Sequence, residues 1–316
     1  MQPILLGPNQ PETFYRGSGR LAAFRGLELA PRPEDWVASL TTRFGQESAG
    51  LATLDDGTLL SDVIAQDRAS WFGSDDADAA LLVKLLDAGQ RLPVHVHPNR
   101  PFAQSHLASP YGKTEAWIVL DAAEDAGVHL GFARDIEPAE LSRWVHEQDV
   151  DSLLGATNRI PVAAGDAILC PAGMPHAIDK NVLLIELQEP TDFSVLLEWK
   201  GFPLSPDEAT LGLPFDEALA CVDRRACTPE RIESLRSAAA GSLLPAEAAE
   251  FFRAQRFSAG PLPAGFSVLV ITDGAGELTG PWGALAIARG ATVVVPHAAR
   301  CQVVGEVGGV QCRPAE

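Results

Sequence analysis

From Leu81 onward the chain is written in short apolar runs separated by Gly, Pro and Asp: ALLVKLLDAG, LPVHVHP, TEAWIVLDA, VHLGFA and GDAILCP. Short runs closed by turn residues predict strands joined by tight connections, repeated often enough to close a barrel. The first of them could by itself be a helix or a buried strand, since a short apolar run does not distinguish the two. Residues 1–30 read as short strands and turns, and PRPEDWVASLTTRFG opens a mixed segment with proline punctuation. The period changes twice. IEPAELSRWVHEQDVDSLL, between Ile136 and Leu154, has a proline near its start and acidic residues in its first turn, which predicts a helix with His146 on its surface. From Ser205 to about Ala254, the segments SPDEATLG, FDEALACVDRR, TPERIESLRS and PAEAAEFFRAQ each carry helix-start residues. Phe251 and Phe252 then serve to dock this stretch.

After Phe257 the strand pattern returns in FSVLVITDG, GELTG, WGALAIARG and ATVVVPHAARCQVVG. Gly290, five residues and Pro296 repeat the spacing of Gly165, five residues and Pro171, so the second half echoes the first. The expected fold is mainly β, with two barrels joined by a helical segment: residues 1–204, 205–255 and 256–316. The second copy lacks a His-x-His strand and a matching glutamate. His297 is therefore assigned a structural role, and the C-terminal barrel is expected to hold no metal.

Candidate chemistry concentrates in the first half. Side chains alternate along an extended strand, so His95 and His97 share one face while Val94 and Val96 take the other. In KTEAWIV the same alternation turns Lys113, Glu115, Trp117 and Val119 to one side. His176 follows the Pro171-Ala172-Gly173 turn. Three imidazoles and one carboxylate suit zinc, manganese, iron or nickel, with part of the coordination sphere left for water or substrate. Cys170 precedes a proline and is read as core.

GDAILCPAGMPHAIDKN resembles the second sequence motif of the cupin superfamily. In order and spacing, LLVKLLDAGQRLPVHVHP, GKTEAWIVLDA, CPAGMPHAI and LLIELQEPTDFSVLLEW are similar to type I mannose-6-phosphate isomerases of the short bacterial kind, as are FYRGSGRLAAFRG and PEDWVASL near the start. The resemblance implies two cupin (jelly-roll) barrels and a strand from Leu81 to Asp87. It implies an isomerase converting mannose 6-phosphate to fructose 6-phosphate through an enediol, with one zinc held by a glutamine, two histidines and a glutamate. Carried over by position, these are His97, His176 and Glu115, with His95 standing where the family has glutamine. Lys113 would approach substrate, and Glu186 and Asp192 would line the pocket, Glu186 as the leading proton carrier. The family's substrate arginine falls at Leu196, and no guanidinium fork for phosphate or enediolate remains there.

Two alternatives follow from these departures. His95 completes a three-histidine, one-glutamate set like that of redox cupins holding manganese, iron or nickel, and Leu196 is what a non-catalytic sugar-binding homologue would show. A formal net charge of −18 argues against nucleic acid and anionic membranes as partners and complicates a phosphosugar, although the resemblance implies a small sugar or sugar phosphate as the partner. A phosphate would need local cations, for which Lys84, Arg91, Arg100 and Lys113 are candidates. The 5 cysteines have no CxxC spacing, and neither the N-terminus nor any apolar run reads as a leader or membrane span, so a cytoplasmic protein is expected.

Overall fold

The computed structural model describes every residue of the chain except Leu29, Ser237 and Glu316. Among the described residues, seventeen strands run in chain order: β1 Ile4–Leu6, β2 Glu34–Val37, β3 Leu82–Ala88, β4 His95–Val96, β5 Glu115–Ala122, β6 Gly127–Phe132, β7 Thr157–Pro161, β8 Ala167–Cys170, β9 His176–Ile178, β10 Val182–Gln188, β11 Val195–Leu196, β12 Phe252–Phe257, β13 Gly260–Pro261, β14 Ser267–Gly280, β15 Gly283–Ala288, β16 Thr292–Val295 and β17 Gln302–Pro314. The mainly-β expectation holds. The ambiguous run ALLVKLLDAG is a strand, because all seven residues of β3 are buried and both its edges are paired.

Two antiparallel five-stranded sheets, ordered β2-β3-β10-β5-β8 and β11-β4-β9-β6-β7, build the half that carries the histidines. Their pairing is open-ended among the described residues. Apolar residues of both, among them Leu85, Ile118 and Ile185 from one and Leu130, Ile160 and Ile178 from the other, share a single core. The expected helix between residues 136 and 154 is two helices, Pro138–Glu147 and Val150–Ala156. Gln148 divides them with a left-handed backbone, φ 53°, and its side chain holds Trp199 and Lys200 by their backbone N–H groups. His146 is exposed on the first. The connecting stretch contains helices Pro206–Ala209, Phe215–Leu219 and Pro229–Arg236 and a 3-10 turn at Ala246–Glu250.

The third sheet has seven strands and follows the path β1-β16-β14-β17-β12. GELTG is no separate strand but the distal part of β14. Gly274 (φ +69°) follows the register shift between Ile271 and Asp273 in the β14–β17 pairing, and a Cβ there would stand 1.8 Å from the Glu306 carbonyl oxygen, so glycine is required. The first strand of the chain belongs to this last sheet. Ile4, Leu5 and Leu6 pair with Val294, Val293 and Thr292, and the buried Arg25 guanidinium donates to Thr292 Oγ1 at 2.6 Å and to the Leu6 carbonyl at 3.1 Å.

Candidate metal centre and substrate cavity

Strand register lays the site out in rows. Residues opposite one another in an antiparallel sheet project to the same face, and the row two residues along projects there again. One row of the first sheet is Trp36, Lys84, Glu186 and Trp117; the next includes Gln188, Glu115 and Cys170. In the second sheet Leu196, His95, His176 and Leu130 form a row. The two inner faces meet at His176 and Glu115, whose Nε2 and Oε1 are 3.3 Å apart.

Each histidine is oriented by a carbonyl at Nδ1. His95 faces Pro93 O at 2.8 Å, His97 faces Phe193 O at 2.7 Å and His176 faces Met174 O at 2.9 Å. A carbonyl only accepts, so each Nδ1 carries the proton and each Nε2 keeps its lone pair, the tautomer a metal ligand needs. The rings crowd together, with centroids 4.9 Å (His95–His97), 4.8 Å (His97–His176) and 4.0 Å (His95–His176) apart. Their ligand atoms lie within 4.8 Å of one another. His176 Nε2 is buried without a hydrogen-bond partner. Burial in first place, with repulsion from the other imidazoles and Lys113, holds His95 well below the usual imidazole range, and burial, then Lys113, brings His97 down to about 3. Neutral imidazoles with converging lone pairs fit a divalent cation.

Glu115 is the negative partner. Its Oε2 takes Lys113 Nζ at 2.9 Å and lies 3.0 Å from His97 Nε2, and its Oε1 takes Trp117 Nε1 at 2.9 Å. Burial would push this carboxyl up, but Lys113 and the imidazoles reverse that and hold it well below the usual range. Lys113 Nζ also meets His97 Nε2 at 2.9 Å, so an ammonium already bridges two of the four groups and must withdraw when a metal is held. Cys170 touches His176 from the Nδ1 edge, at 3.4 Å, and burial keeps its thiol protonated. The turn before His176 is fixed by Gly173 (φ +90°), whose N–H donates to His97 O at 2.7 Å.

Above the histidines opens a cavity of about 380 Å³, lined among others by His95, Lys113, Glu186, Asp192, Lys84 and Leu196. The structure therefore brings the expected residues to one place. Glu186 Oε1 is buried with no hydrogen-bond partner, 3.6 Å from Lys84 Nζ and 3.9 Å from Lys113 Nζ. Burial, aided by the Glu115 charge, pushes Glu186 up to about 7 against the pull of both lysines. Lys84 also lies 3.7 Å from Glu34 and 3.9 Å from Asp192, with its ammonium 4.5 Å from the Trp36 ring centroid. Burial would lower its pKa, yet these carboxylates raise it.

Three contributors were not singled out from the sequence. Glu34 accepts from Trp36 Nε1 at 2.5 Å and from the Tyr15 hydroxyl, and Arg43 lines the cavity mouth. The prolines around Glu34 and the polar run at Arg43 gave no periodic signal. Two candidate phosphate donors are engaged elsewhere: Arg91 makes a bidentate pair with Glu198 at 2.5 and 2.7 Å, and Arg100 binds Glu189 at 2.6 Å. His297 is exposed beside Gly73.

No family model matches the chain. A probable mannose-6-phosphate isomerase, GmuF, of Bacillus subtilis is 32% identical over 192 residues, which is 60% of this chain and 59% of that protein. The mannose-6-phosphate isomerase of Streptococcus mutans is 36% identical over 136 residues, 43% of this chain and 42% of the relative. The chain thus spans less than two thirds of the curated relatives it matches. Among solved structures, the mannose 6-phosphate isomerase from Bacillus subtilis superposes with a TM-score of 0.77 at 20% identity over 99% of this chain and all of the other. A mannose 6-phosphate isomerase bound with zinc and yttrium superposes at 0.70 with 15% identity, covering 100% of both chains. The fold is shared along the whole length, and the homologues are mannose-6-phosphate isomerases, as the motifs implied.

Proposed function

We propose that this chain, whose homologues are mannose-6-phosphate isomerases, is a metal-dependent aldose–ketose isomerase carrying mannose 6-phosphate to fructose 6-phosphate. The observation that carries the reading is the convergence of three Nδ1-anchored imidazoles and Glu115 beneath a cavity whose wall presents Glu186. His95, His97, Glu115 and His176 would hold one divalent ion, zinc first and manganese, iron or nickel as alternatives given the extra histidine. Bound there, the ion supplies Lewis-acid polarisation of the substrate's oxygens.

The chain's own groups do the rest. Isomerisation moves a proton between C2 and C1 of the open-chain sugar. A carboxyl near neutrality accepts and returns a proton with little driving force wasted, and Glu186 Oε1, free of hydrogen bonds, is placed for it. Lys113, released from Glu115, donates to the sugar's hydroxyl oxygens, and Asp192 keeps Lys84 beside Glu186. Trp36 and Trp117, fully buried in the same cross-strand row as Glu186, close the sheet side of the carboxyl to water.

This reading includes two facing five-stranded sheets acting as one jelly-roll barrel within 1–204, a helical connection (205–255) and a second barrel without metal (256–316) that also takes in Ile4–Leu6 and, from Phe252 on, the end of the connection. Among the described residues no helix is long and apolar enough to cross a membrane, in keeping with a cytoplasmic enzyme. The test is metal analysis of the purified protein together with a coupled assay for fructose 6-phosphate, before and after chelation. One equivalent of metal and activity lost on chelation and regained on reloading are expected; full activity in metal-free protein would refute the assignment. Oxygen uptake on an added substrate would favour the redox alternative that His95 raises.

A further inference from the structure

The cavity contains a cation that the parent pattern does not foresee. Lys84 is buried and hemmed by Glu34, Glu186 and Asp192, all within 3.9 Å, and Lys113 sits on Glu115 and His97. Neither ammonium is free for an anion at the entrance. Leu196, where the family has arginine, is buried next to His95 and offers no donor. Arg43 differs. It lines the same cavity, its side chain is 30% exposed, and its Nε is 3.7 Å from Asp192 Oδ2, beyond hydrogen-bond distance.

We propose that Arg43 is the phosphate-recognition residue of this site, a guanidinium brought in from the loop after β2 to do what Leu196 cannot. This deepens the isomerase reading and rests on it. The loop is held for the purpose. Arg43 N–H donates to Ala49 O at 2.7 Å, Arg43 O accepts from Gln46 N–H at 2.9 Å, and one guanidinium nitrogen donates to the Glu12 carbonyl. Phe44 N–H reaches Asp192 Oδ2 at 3.2 Å, and the Phe44 ring packs edge-on against Phe193 with centroids 5.6 Å apart. Phe193 is the residue whose carbonyl orients His97. The arginine is therefore tied to the candidate ligand His97 through Phe44 and Phe193, which sets the distance between the reacting and the charged ends of a substrate. With one nitrogen anchored on the Glu12 carbonyl, the guanidinium turns its remaining edge toward Asp192 at long range only, and exchanges that contact for a dianionic phosphate, to which Nε and the other terminal nitrogen present a fork of donors.

The experiment is calorimetric binding of fructose 6-phosphate and of fructose to the metal-loaded wild type, Arg43→Ala, Arg43→Lys and Arg43→Ala/Leu196→Arg. In the wild type the phosphorylated sugar binds better; Arg43→Ala lowers that preference about ten- to hundredfold, the worth of hydrogen bonds to a charged group, and leaves fructose binding and metal content unchanged. Arg43→Lys keeps part of the preference, which shows that the loop still folds, and the double variant regains it. An undiminished preference in Arg43→Ala, or none in the wild type, overturns the proposal. Because the readout is binding, failure of turnover on any aldose would refute the isomerase reading while leaving the Arg43 result standing by itself.

Discussion

Replacing Glu186 by glutamine should make the metal-free protein more stable and, in the metal-loaded state, abolish turnover. The carboxyl is fully buried, its Oε1 has no hydrogen-bond partner, and burial together with the Glu115 charge raises it from 4.5 to about 7 even after the pull of Lys84 and Lys113. A raised carboxyl pKa means that the folded protein binds more protons than the unfolded chain between those two values. Stability is therefore full below about 4.5, falls as pH rises through the window, and stays reduced above about 7. At about 1.4 kcal/mol per pH unit, the charge on Glu186 costs the fold about 3 kcal/mol at pH 8. Glutamine removes the charge at nearly constant volume. Urea unfolding of chelator-stripped wild type and Glu186→Gln at pH 5 and pH 8 measures it: little difference at the lower pH, and a gain of order 3 kcal/mol for the variant at the higher. Stability that is equal at both values would show that the carboxylate is well solvated or paired in the fold. Such a result would remove the physical reason for treating it as the proton carrier. A gain in stability with loss of turnover is the mark of a group kept for chemistry at the expense of the fold.

Other substitutions probe the supports of the site. His97→Ala should lose the metal, beyond the ten- to hundredfold weakening typical when only a ligand's hydrogen-bond partner is removed, whereas His297→Ala should keep it; mass-spectrometric metal content decides, and a retained equivalent in His97→Ala would sink the ligand assignment. Glu198 accepts two bonds from Arg91 and one from Val94 N–H at 2.9 Å, so Glu198→Ala should destabilise by about 2–3 kcal/mol, toward the low end for a buried pair because Arg91 keeps solvent access, and a change under about 0.5 kcal/mol in denaturant unfolding would refute this. Gly274→Ala forces a Cβ onto the Glu306 carbonyl at positive φ and should cost about 3 kcal/mol, read as a lowered midpoint of thermal unfolding.

The clustering of the candidate ligands was legible in the sequence because their placement rides on local rules. Alternation in VHVHP put two imidazoles on one face, and the turn Pro171-Ala172-Gly173 delivered the third. What local rules could not give was the company each charge keeps. Lys84 sits in an apolar run and could as well have been a solvated end; only the cross-strand register with Trp36 and Glu186 made it a buried ion. Glu34, Tyr15 and Arg43 come from stretches too irregular to show a period, and their meeting with β3 and β10 is a property of the tertiary fold. The fate of ILL at the start was likewise invisible, since three apolar residues carry no mark of the sheet that will receive them.

That receiving sheet imposes an order on assembly. Ile4–Leu6 are made long before their partner Thr292–Val295, so at about 5–20 residues per second the earlier strand waits many seconds as an unmatched apolar edge. The histidine-bearing half can gather its own sheets meanwhile, but Ile4–Leu6 find their place only once Thr292–Val295 has been made. Cutting away the rest of the third sheet would thus leave Ile4–Leu6 without the strand that receives them, so a truncation at one side of the molecule is felt in a segment almost three hundred residues away.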